Sequence, residues 1–97
     1  MNASSNGQEP IESQEVLNFP ALMTVRVIGA NRPELEQRVR AVVAEQLAPA
    51  DFRDLKTKPS ANGSYLAVLV TVNFPSRASA DRFFSTLSSD PLVQMML

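Results

Sequence analysis

Apolar and polar residues alternate from Ala21 to Ile28, with Met23, Val25 and Val27 on one side and Thr24 and Arg26 on the other. That is the period of a strand with one buried face, and Arg26 marks its solvent side. Gly29-Ala30-Asn31-Arg32-Pro33 breaks the alternation, and the period then lengthens: Leu35, Val39, Val42, Val43 and Leu47 fall at i, i+4, i+7, i+8 and one turn further. This predicts an amphipathic helix that starts at Pro33, where the preceding Asn and the fixed proline φ favour a helix entry, and stops before Pro49.

Phe52 to Lys58 is charged, with Leu55 as its clearest buried residue, and suits an edge strand guarded by Lys and Arg. Pro59 to Gly63 supplies a turn. Tyr65 to Asn73 is the strongest strand in the chain, placing Leu66, Val68, Val70 and Val72 inward and Tyr65, Ala67, Leu69 and Thr71 outward, which predicts a central position. Ser76 is placed to cap a second helix from Arg77 to about Leu87, with Ala80, Phe83, Phe84 and Leu87 as its apolar stripe. Ser88-Ser89-Asp90-Pro91 closes it. A last strand is expected over Leu92 to Leu97, with Val93, Met95 and Leu97 on the core face and Gln94 marking the other.

With right-handed crossovers, this order gives an α+β fold: a ferredoxin-like βαββαβ sandwich. Its four-stranded antiparallel sheet would have the order 4-1-3-2, with two helices on one face and the other face open.

A chain of 97 residues is expected to build one core. Residues 1–16 read as a flexible polar tail and residues 17–97 as one domain. The tail lacks the basic start and apolar stretch of a signal peptide, and no later run is long enough to span a bilayer, so a cytoplasmic location without membrane contact is expected. Glu9, Glu12 and Glu15 lie in the tail and account for the net charge of −1; from Val16 onward seven acidic side chains face nine basic ones. The chain has no Cys and no His. Thiolate and imidazole metal sites, cysteine nucleophiles and the base of most hydrolytic triads are thereby excluded. The expectation is a protein without catalytic residues, metal or cofactor.

Phe19-Pro20, Val25-Arg26-Val27-Ile28-Gly29, Lys58-Pro59-Ser60 with Gly63 and Tyr65, and Val93-Gln94-Met95-Met96-Leu97 together resemble the YbeD-like bacterial proteins. The likeness runs from about Phe19 to Leu97, and the Lys-Pro-Ser, Gly, Tyr stretch is its most specific part. The family has no established biochemical function. The resemblance implies a ferredoxin-like domain similar to ACT regulatory domains and carries no catalytic residue with it.

Three places could carry function. The loop Gly29 to Glu34 is similar to the one where ACT domains hold amino acids, which makes Gly29 and Asn31 ligand-binding candidates. Against this, ACT sequences usually follow the proline with Gly, and Glu34 stands there instead, where its charge would repel an anion. Lys58 to Tyr65 holds Lys, Ser and Tyr, but nothing orders them into a nucleophile and base, and a hairpin turn needs the same residues. The open sheet face is the third. Strand parity assigns to it Thr24, Arg26, Ile28, Tyr65, Ala67, Leu69, Thr71, Leu92, Gln94 and Met96. One aromatic and a mild charge do not make a nucleic-acid platform. The apolar residues fit a protein partner or a second copy of the chain, with Arg26, Tyr65, Leu69 and Met96 as the contact candidates. The expected function is a small regulatory or adaptor domain; the alternative is a small-ligand sensor using Gly29 and Asn31.

Overall fold

A computed structural model describes residues 18–97; the tail expected over residues 1–16 lies outside them. Strand β1 spans Ala21–Ala30, helix α1 Pro33–Gln46, a short 3-10 turn Pro49–Asp51, strand β2 Phe52–Pro59, strand β3 Tyr65–Phe74, helix α2 Arg77–Ser88 and strand β4 Met95–Met96. The sheet order is β2-β3-β1-β4, which is 4-1-3-2 read from the other edge. All its pairings are antiparallel. The sheet centres on the β1–β3 ladder, which runs without interruption from Ala21↔Phe74 to Ala30↔Tyr65.

The alternation explains why that ladder has two unlike faces. Val25 and Val27 of β1, and Leu66, Val68, Val70, Val72 and Phe74 of β3, point to the helix side and are buried. They meet Leu35, Val39, Val42, Val43 and Leu47 of the first helical segment and Ala80, Phe83 and Leu87 of α2 in one cluster. Each fully buried Val, Leu or Phe contributes roughly 1.5–3 kcal/mol over an exposed one. Phe83 meets Phe74 edge to face with ring centroids 5.3 Å apart, and Phe84 closes the trio at 6.2 and 6.3 Å. Helix α2 begins as expected at Ser76, whose side chain accepts from the Ser79 amide while the Ser79 hydroxyl accepts from the Ser76 amide.

Three local details differ from the sequence reading. Helix α1 is entered from Arg32, with no side-chain cap. Asn31 looks the other way: its side chain donates to the Gly63 carbonyl at 2.9 Å and its amide to Ser64 at 3.0 Å, tying the β1–α1 loop to the β2–β3 turn. In β2, Phe52 and Leu55 both pack toward the core although they are three residues apart. The register shift between Phe52 and Asp54 absorbs the odd residue as a bulge at Arg53.

The third is β4. The Leu92 to Leu97 strand is cut to two residues because the preceding turn continues: the Leu92 amide donates to Asp90 Oδ1 at 2.9 Å and the Val93 amide to the Asp90 carbonyl at 3.0 Å. Met96 then falls opposite Val27 and Met95 opposite Ile28. Met96 packs against the core, while Met95 (53% exposed) and Leu97 (63%) are on the outside. The expected parity is therefore reversed over Met95 to Leu97, while Val93 packs against the core as expected. Met96 is not a residue of the open face, and Leu92, also assigned there, packs against the core as well.

No helix among the described residues is long and apolar enough to cross a membrane.

Candidate functional site

Side chains directly opposite one another in antiparallel strands share a face, so the registers define the helix-free side of the sheet row by row. One row runs Lys56, Leu69, Arg26 and, across the backbone pair Arg26–Leu97, Leu97. The next runs Lys58, Ala67, Ile28 and Met95. Toward one end lie Tyr65 and Ala30; toward the other Asp54, Thr71 and Thr24, whose two threonine hydroxyls bond at 2.8 Å.

Three of the four contact candidates come together here. Arg26, Tyr65 and Leu69 line one shallow hollow of about 370 Å³ with Ile28, Ala67 and Lys58, bounded by Pro59 and Ser60. Ile28, Ala67 and Leu69 are half-buried, and Arg26, Lys58 and Tyr65 are exposed. The shape follows from the sequence: short Ala67 between longer neighbours makes the depression, and the β2–β3 turn forms its wall. That turn is held by its own polar side chains. Ser60 Oγ donates to Asn62 Oδ1 at 3.1 Å and accepts from the Tyr65 amide at 3.0 Å, and Gly63 takes a φ of +78° that a side chain would resist. The Ser and Tyr of this stretch are thus engaged in building the turn through Ser60 Oγ and the Tyr65 backbone.

Met96, the fourth candidate, is on the opposite side, and Met95 and Leu97 take the places beside Ile28 and Arg26. From the sequence, Lys58 is weighed only within the Lys58 to Tyr65 stretch, and neither Lys56 nor Lys58 is assigned to the open face. Their placement was available from Leu55 alone, since its inward position turns both lysines outward.

The two ligand-binding candidates have other tasks. A Cβ on Gly29 would stand 2.2 Å from the Leu92 carbonyl oxygen and 3.2 Å from a Leu35 methyl, so this glycine lets the 90–94 segment lie against β1. Asn31 spends its amide and side chain on the β2–β3 turn. A hollow of about 580 Å³ does lie beside the start of α1, lined by Arg32, Glu34, Gln37, Arg38, Asp90 and Leu92 among others, and neither Gly29 nor Asn31 reaches it. Arg38 there is paired with Asp90. Among the described residues no three acidic side chains gather as metal ligands.

A family model described as protein of unknown function, DUF493, matches residues 14–97. A UPF0250 protein of Vibrio cholerae is 34% identical over 84 residues, covering 87% of this chain and 89% of that protein. One from Paraburkholderia phytofirmans is 27% identical over 85 residues, covering 88% and 96%. The solution structure of a Helicobacter pylori protein superposes with a TM-score of 0.72 at 20% identity, covering 94% of this chain and 97% of that one. The ACT domain from the GTP pyrophosphokinase of Chlorobium tepidum superposes with a TM-score of 0.62 at 9% identity, covering 78% and 94%. At these identities the two structures establish a shared ACT-like, ferredoxin-like fold.

Proposed function

This chain belongs to the DUF493 family of proteins of unknown function, and on that premise we propose that it is a non-catalytic regulatory or adaptor domain that binds through the open face of its sheet. Its counterpart is a protein partner or a second copy of the chain. One observation carries the reading: Arg26, Tyr65 and Leu69, far apart in sequence, line a single hollow on the side that no helix covers. Exposed Leu22, Met95 and Leu97 extend its apolar surface along β1 and β4. An apolar centre with a charged rim is the anatomy of a protein contact. The non-catalytic part rests on composition, since a chain without His or Cys lacks the commonest general base and the strongest nucleophile.

The test compares wild type with the double variant Arg26→Glu, Leu69→Asp by sedimentation and by affinity capture from a bacterial lysate. Wild type should dimerise or retain a protein that the variant loses. A strictly monomeric wild type that captures the same proteins as the variant would overturn the proposal.

A ligand sensor on the β1–α1 loop is the weaker reading, because Gly29 and Asn31 are occupied by packing and by the turn. Its measure is an NMR titration with amino acids and metabolites: unmoved amides at Gly29 and Asn31 across the panel dispose of it.

A further inference from the structure

We infer that the open sheet face is a docking site for residues 9–17 of the same chain. The inference rests on reading that face as a binding surface and adds an occupant that any partner must displace.

Charge is the first argument. The helix-free rows present Arg26, Lys56 and Lys58 against a single acid, Asp54, which lies 3.9 Å from Lys56. Among the described residues neither Arg26 nor Lys58 makes an ion pair. Residues 9–17 read Glu-Pro-Ile-Glu-Ser-Gln-Glu-Val-Leu: three acids, no base and three aliphatic side chains. A basic rim around an apolar hollow matches an acidic stretch carrying aliphatic residues.

Reach is the second. The first described residue, Asn18, lies three positions ahead of β1. Extended chain advances at most about 3.3 Å per residue, so the nine residues 9–17 are long enough to span most of the ten residues of β1. That length is enough for the acids of the segment to reach Arg26 and Lys58 and for its aliphatic residues to reach the hollow between them. Being tethered, the segment acts at an effective concentration on the order of millimolar, so weak contacts suffice.

The chain has no Cys, so Ser13→Cys in the full-length protein takes one nitroxide label, and paramagnetic broadening of backbone amides reads where residue 13 resides. The amides of Arg26, Ala67 and Leu69 should broaden while those of Arg40 and Arg82 on the helices stay sharp. At about 0.5 M salt, where charges are screened within a few ångströms, the broadening should fall about twofold or more. Replacing Glu9, Glu12 and Glu15 by Gln should have the same effect. Equal broadening on both faces, or none, overturns the inference. So does broadening that persists when the labelled chain is mixed with unlabelled isotope-enriched chain, since that assigns the contact to a second copy. The capture experiment with Arg26→Glu, Leu69→Asp is read separately, so a protein can fail one test and pass the other.

Discussion

Gly29 and Asn31 sit two residues apart in a loop whose resemblance to an amino-acid site drew attention to both, and the two have different structural tasks. Gly29 is small because the Leu92 carbonyl needs the space. Gly29→Ala should lower stability by roughly 1–3 kcal/mol, as overpacking against backbone does, seen as a lower urea midpoint with an unchanged slope. Asn31 is a surface tie, and Asn31→Ala removes one exposed hydrogen bond to Gly63 at about 1 kcal/mol or less. The same experiment separates them: if Gly29→Ala proves as mild as Asn31→Ala, the close approach of the 90–94 segment is wrong.

Elements differ in how strongly their residues dictate them, and β3 and β4 are the extremes. In β3 every second residue from Leu66 to Phe74 is apolar and buried, and the residues between, Leu69 apart, are smaller or more polar, so one register alone buries the apolar set. Its partner β1 inherits that certainty, which is why Arg26, Tyr65 and Leu69 could be placed on one face from alternation alone. In β4, Leu92, Val93, Met95, Met96 and Leu97 are apolar on both parities, and the face was decided by where the Asp90 turn ends. No local pattern records that, nor the bulge at Arg53, nor the distant partner of Asn31. The β4 register has a direct consequence. Met96→Lys should cost about 1–3 kcal/mol by forcing a charge toward the core, whereas Met95→Lys, on the exposed side, should change stability by less than about 0.5 kcal/mol. Thermal unfolding of the pair decides it, and the opposite ranking would restore the parity read from sequence. Capping at α2 is an independent check: Ser76→Ala should lower stability by about 1 kcal/mol, measured in the same way.

Taken whole, the molecule places its stability on one side of the sheet and its proposed recognition surface on the other. The core cluster lies wholly between sheet and helices, while the far side offers a half-buried hollow and a rim of charges. Substitutions should therefore divide by face. Phe83→Ala removes a fully buried ring that meets Phe74 and Phe84, a loss of about 3–5 kcal/mol. A domain of this size is stable by only about 5–10 kcal/mol, so this variant should lose a large share of its stability and unfold at a clearly lower temperature by circular dichroism. Leu69→Asp leaves the core intact and should shift the unfolding midpoint little, yet abolish whatever the open face binds. The discriminating measurement is both properties on both variants. If Leu69→Asp destabilised the fold as Phe83→Ala does, Leu69 would be serving the fold, and the open face would lose the apolar centre on which its binding role depends.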